Sequence, residues 1–83
     1  MPKITIYSTK TCPYCNMLKN YLKSKNIQYE DVLLDENPER AVEAVHLCNS
    51  MGVPCTHIVN DDGSEERILG FDKSKIDQVL SLA

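Results

Sequence analysis

Two cysteines separated by two residues carry the strongest chemical signal in this sequence. Cys12 and Cys15 enclose a proline and a tyrosine. A cysteine attacks a disulfide as its thiolate, so a redox role requires a lowered thiol pKa. A thiol three residues further on can attack the mixed disulfide formed at the first and release the product. The spacing therefore indicates thiol–disulfide exchange, with Cys12 as the attacking thiol and Cys15 as the resolving thiol.

The residues around the pair place Cys12 where its pKa would be lowered. Residues 3–8 alternate apolar and polar side chains and are rich in β-branched residues, which predicts a strand. An apolar helical face follows, made of Met17, Leu18, Tyr21 and Leu22. Cys12 then lies at the N-terminus of this helix, with Pro13 in its first turn. The helix end supplies about half a positive charge, to which Lys10 adds a full one.

The same two cysteines would also serve as half of a zinc site. Its other ligands would come from His46, Cys48, Cys55 and His57. The sequence has no second pair at this spacing, and a position between a strand and a helix of a βαβ unit is typical of a redox motif. We therefore favour redox chemistry, expect no bound metal, and interpret the two histidines as solvent-facing polar residues.

The rest of the chain alternates strand and helix signals. In chain order the patterns predict a strand over 28–34, a helix from Asn37 to about Met51 stopped by Gly52, a hairpin of strands 55–60 and 66–69, and a final helix capped by Asp72. The faces expected to meet the core are Ala41, Val42, Val45 and Leu47 or Cys48 in the second helix, and Ile76, Val79, Leu80 and Leu82 in the third. The order β-α-β-α-β-β-α predicts an α/β fold with one mixed sheet and helices on both faces.

Length and charge restrict the classes of protein that fit. The 83 residues allow one domain, spanning 1–83. The net charge of −3 argues against nucleic-acid binding, which favours a concentrated basic patch. The sequence shows neither a signal peptide nor the apolar run of about 20 residues that a membrane helix needs. We therefore expect a cytoplasmic protein without a membrane partner.

Two further cysteines need an interpretation of their own. In a reducing cytosol, the four cysteines are not expected to form a structural disulfide framework. Cys48 falls on the apolar side of its predicted helix, where we expect it to pack as a small hydrophobic residue. Cys55 follows Pro54 directly and would lie near the Cys12 groove if strand alternation turns it that way, which would make it a third redox thiol.

Three motifs together resemble the dithiol glutaredoxins over essentially the whole chain. They are Cys12-Pro13-Tyr14-Cys15 after a short strand, Val53-Pro54 before the third strand, and Gly70-Phe71-Asp72 before the last helix. The resemblance implies a thioredoxin-like fold, with a four-stranded mixed sheet in the order 2-1-3-4 flanked by three helices. We expect a monomer with no bound cofactor and with glutathione as co-substrate.

The resemblance also implies roles residue by residue. Cys12 would be the nucleophile and Cys15 the resolving thiol, acting on disulfide-containing or glutathionylated proteins. Val53 would pair its backbone with that of the substrate, and Pro54 would be cis and shape the groove. The other residues expected to bind glutathione are Lys10, Tyr14, Gly70, Phe71 and Asp72, with the backbone N–H groups at the start of the last helix facing the γ-glutamyl carboxylate.

Some positions depart from the pattern of many glutaredoxins. Thr9 stands where many have a lysine, with Lys10 one residue later, and Gly52 stands where many have a threonine. Leu69 replaces a glycine beside the expected glutathione site, where a side chain would crowd the ligand. Lys73 replaces an acidic residue that would attract the glutathione amino group. Both changes weaken the case for glutathione.

The C-terminal motif indicates an alternative electron donor. Gly70, Phe71, Lys75 and Ile76 are similar to the ending of NrdH redoxins. That resemblance implies reduction by thioredoxin reductase and ribonucleotide reductase as the partner. Glutathione remains the favoured donor, with thioredoxin reductase as the alternative. An iron–sulfur scaffold shared by two chains is a further alternative, against which Pro13 argues.

Overall fold

The computed structural model describes residues 2–49 and 52–80 of the chain. The strands within these residues are β1 (Lys3–Ser8), β2 (Glu30–Leu33), β3 (Cys55–Val59) and β4 (Glu65–Leu69). The α-helices are α1 (Pro13–Ser24), α2 (Ala41–Cys48) and α3 (Lys73–Leu80), and a short 3-10 helix, Pro38–Arg40, leads into α2. The predicted element order is confirmed.

The four strands form one mixed sheet in the order β2-β1-β3-β4. β1 runs parallel to β2 and antiparallel to β3, and β3 runs antiparallel to β4. The register sets Cys55 opposite Tyr7 on one side and opposite Leu69 on the other. The sheet order, the antiparallel hairpin and the three flanking helices are those that the sequence predicts.

Strand alternation divides the core into two clusters on opposite faces of the sheet. Members of the first cluster come from the sheet, α1 and α3, and include Ile4, Ile6, Leu18, Leu22, Ile58, Ile68 and Ile76. Members of the second, which we call the α2 cluster, are Tyr7, Val32, Ala44 and Cys55, with Leu34, Leu47 and Cys48 packed against them. Because successive strand residues face opposite sides, Ile6 and Tyr7 belong to different clusters.

The second helix differs most from its prediction. It ends at Cys48, and Asn49 takes the left-handed conformation with φ of 53° that Gly52 was expected to supply. Asparagine tolerates this conformation better than most residues, which explains the earlier stop. Ala44 is the buried residue of α2, whereas Val42, predicted to face the core, is 62% exposed. The predicted end at Met51 lies outside the described residues.

Smaller differences concern element ends and faces. β2 is four residues long, shorter than the predicted 28–34. Met17, placed on the apolar face of α1, is largely exposed, while Leu18 and Leu22 are buried as predicted. Ile76 is buried in α3, but Leu82 lies outside the described residues.

A polar contact fixes the start of α2 to the sheet. The Tyr7 hydroxyl donates to Oε2 of Glu43 at 3.0 Å, and Arg40 donates to the same oxygen from Nε at 3.2 Å and from Nη2 at 3.1 Å. The hydrogen bonds from Arg40 and Tyr7 hold the pKa of Glu43 below its ordinary value. Burial raises the pKa of Tyr7, and the Glu43 carboxylate adds to that rise. The carboxylate of Glu43 therefore joins α2 to β1.

Both edge strands of the sheet carry charge. β2 begins with Glu30 and Asp31, and β4 begins with Glu65 and Glu66. On the β4 side, Nζ of Lys75 donates to the carbonyl of Arg67 at 3.2 Å. Charged side chains and covered carbonyl groups discourage the pairing of an edge strand with another chain.

The Glu43 contact predicts a pH dependence of stability. The pKa of Glu43 is lower in the folded state than in the unfolded state. The stability that the Glu43 carboxylate adds to the fold is therefore fully present above the unfolded pKa of about 4.3, and it is lost as the pH falls through the folded pKa. Glu43→Gln should lower the urea midpoint of unfolding at pH 7, and the difference from the wild type should narrow at a pH of about 3.5. Glu39→Gln, at an exposed residue, is the control. A difference that stays constant with pH would contradict the assignment.

Candidate active site

Cys12 is the N-cap residue of α1. It has extended backbone angles, φ −88° and ψ 108°, and its Sγ accepts a hydrogen bond from the backbone N–H of Cys15 at 3.1 Å. Pro13 occupies the first turn, where its missing N–H costs nothing. A sulfur in this position meets both a backbone donor and the positive end of the helix dipole, and each favours the thiolate over the thiol.

The two sulfurs differ in access. Cys12 and Cys15 are joined by a disulfide, with their Cα atoms 5.2 Å apart. Cys12 is 9% exposed and Cys15 is fully buried. An incoming thiol or disulfide can therefore approach the sulfur of Cys12, while that of Cys15 is reached only from within the protein. This difference in access supports the predicted division of roles, which stays a prediction.

Lys10 has a partner that the sequence did not reveal. Its Nζ lies 3.2 Å from Oε1 of Glu36, and its backbone N–H donates to Oδ2 of Asp35 at 2.6 Å. These contacts hold the loop before Cys12 against the segment after β2. The Glu36 carboxylate offsets part of the charge of this ammonium, so Lys10 adds less to the field at Cys12 than an unpaired lysine would.

The second and third motifs meet at the start of β3. The Val53–Pro54 bond is cis, as the resemblance implies. The backbone N–H of Gly70 donates to the carbonyl of buried Pro54 at 2.8 Å. Gly70 has a φ of 80°, which a residue with a side chain adopts only with strain. Since β3 starts opposite the end of β1, Pro54 and the loop leading to Cys12 lie at the same end of the sheet.

The remaining residues of the expected glutathione site lie around the end of the sheet that holds Pro54, or at the start of α3. Tyr14 is 61% exposed. Phe71 is half-buried, and its ring centroid lies 6.0 Å from that of Tyr21. Asp72 is exposed, and its Oδ1 accepts the backbone N–H of Lys75 at 3.1 Å, so it caps α3 as predicted.

Lys73 is held on the surface of α3. Its Nζ donates to Oδ2 of Asp77 at 2.8 Å and lies 5.2 Å from the centre of the Tyr21 ring. The Tyr21 hydroxyl also donates to Asp77. The hydrogen bond from Lys73 and, to a lesser extent, the one from Tyr21 lower the pKa of Asp77 below its ordinary value.

The structure corrects the interpretation of the other two cysteines. Cys48 and Cys55 form a disulfide, so the expectation that Cys48 packs as a simple hydrophobic residue is wrong, and a disulfide stands where no structural framework was expected. Cys55 is fully buried in the α2 cluster and bonded to Cys48, so it is not a third thiol in the Cys12 groove. The signal that sequence reasoning missed is a cysteine at the end of a helix followed by one at the start of the next strand.

The histidines are placed apart from the active end. His46 is exposed on α2, and Nε2 of half-buried His57 lies 2.6 Å from Oε1 of Glu65. Over residues 2–49 and 52–80, no three His, Cys, Asp or Glu side chains are grouped so as to hold a metal ion. A search of the same residues finds no helix that is long and apolar enough to span a membrane.

Comparisons with known proteins find glutaredoxin-like relatives of this chain. An uncharacterised glutaredoxin-like 8.6 kDa protein in the rubredoxin operon of Clostridium pasteurianum is 43% identical over 77 residues, covering 93% of this chain and 96% of the relative. The glutaredoxin-like protein NrdH of Lactococcus lactis subsp. lactis is 30% identical over 44 residues, covering 53% of this chain and 61% of the relative.

A solved structure and a family model complete the comparison. The crystal structure of a glutaredoxin from Archaeoglobus fulgidus superposes with a TM-score of 0.75 at 26% identity, covering 96% of this chain and 87% of that one. The family model for glutaredoxin matches residues 4–62, which include Cys12, Cys15, Val53 and Pro54. With its thioredoxin-like fold and its cysteine pair at the start of α1, the chain belongs to the glutaredoxin family.

Proposed function

We propose that this glutaredoxin-family oxidoreductase reduces protein disulfides and glutathione mixed disulfides in the cytoplasm, with glutathione as its electron donor. The observation that carries the proposal is the hydrogen bond from the Cys15 backbone N–H to the Cys12 sulfur at 3.1 Å. This donor and the helix end favour a thiolate at the one sulfur of the pair that a substrate can approach.

The proposed reaction uses the two sulfurs in order. The Cys12 thiolate attacks a substrate disulfide, forming a mixed disulfide and expelling one substrate thiol. The deprotonated Cys15 sulfur then attacks Sγ of Cys12 and releases the second thiol, so two electrons pass to the substrate and the Cys12–Cys15 disulfide remains. Two glutathione molecules restore the dithiol. The first attacks Cys12 and expels Cys15, and the second removes the first as glutathione disulfide.

The surroundings of the pair support a glutathione site. The ion pair between Lys10 and Glu36 is exposed on both sides, with 59% and 55% of the two side chains accessible. Such pairs contribute about 0–1 kcal/mol, so a ligand carboxylate can take the place of Glu36 at little cost. The exposed carboxylate of Asp72 is available to an ammonium group of a ligand. Tyr14, Val53, Gly70 and Phe71 would form the walls of this site, and buried Pro54 would shape it through its cis bond to Val53.

Two residues favour reduction by thioredoxin reductase as the second candidate. The side chain of Leu69 is 48% exposed directly before Gly70, where a glutathione backbone would approach. Nζ of Lys73 places a positive charge one residue after Asp72. A glutaredoxin-like protein NrdH is among the relatives of this chain, at 30% identity over 44 residues. In this second candidate, ribonucleotide reductase is the protein that receives the electrons.

The first prediction concerns the nucleophile. In the reduced protein, Cys12 should react with iodoacetamide at a pH well below 8.5, the ordinary pKa of a cysteine, because the helix end and the Cys15 N–H favour its thiolate. Peptide mass mapping of the alkylated protein across a pH series would give the rate at each cysteine. Cys15 is the internal control, and faster alkylation of Cys15 than of Cys12 would contradict the assignment.

The second prediction separates the two thiols. Cys12→Ser should abolish reduction of both a glutathionylated peptide and insulin disulfides. Cys15→Ser should retain reduction of a glutathionylated peptide, in which free glutathione can resolve the mixed disulfide. The same variant should lose nearly all reduction of insulin disulfides, which need an internal resolving thiol. Equal loss of both activities in Cys15→Ser would exclude this scheme.

The third prediction identifies the electron donor. The oxidised protein should be reduced by glutathione with glutathione reductase, and less efficiently by NADPH with thioredoxin reductase. Lys73→Gln removes a positive charge without placing a negative charge beside Asp77. It should lower KM for a glutathionylated peptide about twofold to fivefold. Lys23→Gln, on the exposed surface of α1, is the matched control. Reduction by thioredoxin reductase alone would establish the second candidate instead.

A further inference from the structure

A second cysteine pair lies on the other face of the sheet from the first core cluster. Cys48 is the last residue of α2 and Cys55 is the first of β3, seven residues apart in sequence. They form a disulfide across a Cα–Cα distance of 6.1 Å, within the ordinary range for such bonds. Both sulfurs belong to the α2 cluster, with Tyr7 and Ala44 as neighbours. The catalytic scheme above does not use them.

The two sulfurs of this pair differ in access, as those of the active site do. Cys55 is fully buried, whereas Cys48 is half-buried and keeps part of its surface open to solvent. Thiol–disulfide exchange needs a thiolate to reach one sulfur along the line of the bond. An external thiol or disulfide can therefore enter the pair only through Cys48, with Cys55 as the internal partner.

The surroundings of the pair suit the reduced form as well. Sγ of Cys55 lies 3.7 Å from the carbonyl oxygen of Ala44, and Sγ of Cys48 lies 4.0 Å from that of Ile68. A thiol is a weak hydrogen-bond donor, so each sulfur has an acceptor at hand once the bond opens. Reduction then leaves no buried S–H without a partner. The availability of these acceptors favours a reversible couple.

The pair also has a direct connection to the active end of the molecule. The ring that the disulfide closes contains Val53 and Pro54, and Cys55 follows Pro54 without an intervening residue. The Pro54 carbonyl accepts a hydrogen bond from the Gly70 N–H. This bond joins the residue before β3 to the loop that leads into α3. A covalent bond at Cys55 therefore restricts the segment that carries the second motif and, through it, the contact with the third.

We propose that Cys48 and Cys55 form a second redox site, which exchanges with small-molecule disulfides through Cys48 and, when closed, fixes the Val53–Pro54 segment. In closing, the Cys48 thiolate attacks a low-molecular-weight disulfide and expels one thiol. The deprotonated Cys55 sulfur then attacks Sγ of Cys48 and expels the second. Two protein thiols are oxidised to one disulfide, and one small disulfide is reduced to two thiols. Opening is the reverse, driven by excess thiol. Its effect on substrate binding rests on the function proposed above.

The exchange is tested in the Cys12→Ser/Cys15→Ser protein, which keeps only this pair. After reduction and removal of reductant, glutathione disulfide should close Cys48 and Cys55, and dithiothreitol should reopen them, as measured by acid quenching, alkylation and peptide mass mapping. A further Cys55→Ser change should trap glutathione on Cys48, whereas Cys48→Ser should leave Cys55 without an adduct. Thiols that stay open to alkylation after glutathione disulfide treatment, or an adduct on Cys55, would overturn the proposal.

The structural effect is tested in the same protein by amide hydrogen exchange. Opening the pair with dithiothreitol should speed exchange of the Gly70 N–H about tenfold, because its acceptor Pro54 is no longer held, and should lower Tm by about 10 °C. The Gly63 N–H, which donates to Asn60 in the β3–β4 turn at 2.9 Å, is the internal control. Unchanged Gly70 exchange would overturn the link to the active end. The alkylation and the hydrogen-exchange measurements do not depend on catalysis at Cys12. They therefore decide this proposal even if glutathione fails to reduce the wild-type protein.

Discussion

A single backbone N–H, that of Cys15, donates to the Cys12 sulfur at 3.1 Å and fixes the active end of α1. The sulfur serves as the cap of the helix, so its position and its preference for the thiolate have the same cause. The helix in turn is held by Leu18 and Leu22, which pack into the core against β1. The chemistry of Cys12 thus depends on the same apolar contacts that fold the domain, and a displaced α1 would move the thiol and its donor together.

β3 connects the two cysteine pairs because its first residue faces the α2 cluster while the segment before it approaches the active end. Cys55 is paired through the sheet with Tyr7 and Leu69, and Pro54 accepts the N–H of Gly70. Tyr7 also holds Glu43 of α2. The disulfide at Cys48 and the Tyr7 hydrogen bond fasten α2 near its two ends. Changes in α2 can therefore reach the Val53–Pro54 segment through a short, covalently continuous path.

Local patterns in the sequence predict the parts of this structure that depend on local causes. Strand β1, the start of α1 at Cys12 and the Asp72 cap of α3 follow from side-chain alternation and capping preferences, and the structure agrees. The end of α2 was misjudged because Asn49 adopts the left-handed conformation before Gly52 is reached. The Lys10–Glu36 pair and the Gly70–Pro54 contact join residues through tertiary folding, so periodicity and spacing carry no information about them. The Cys48–Cys55 bond depends on where α2 ends, which the sequence pattern places too late.

The charged edges of the sheet bear on how copies of this protein meet one another. A mixed disulfide between two copies of this chain would hold the two chains side by side for a time. Glu30 and Asp31 on one edge, Glu65 and Glu66 on the other, and Lys75 over the Arg67 carbonyl oppose strand addition during that interval. Encounters between copies can then end in the exchange of a bond, with the two sheets separating intact rather than growing into a larger aggregate.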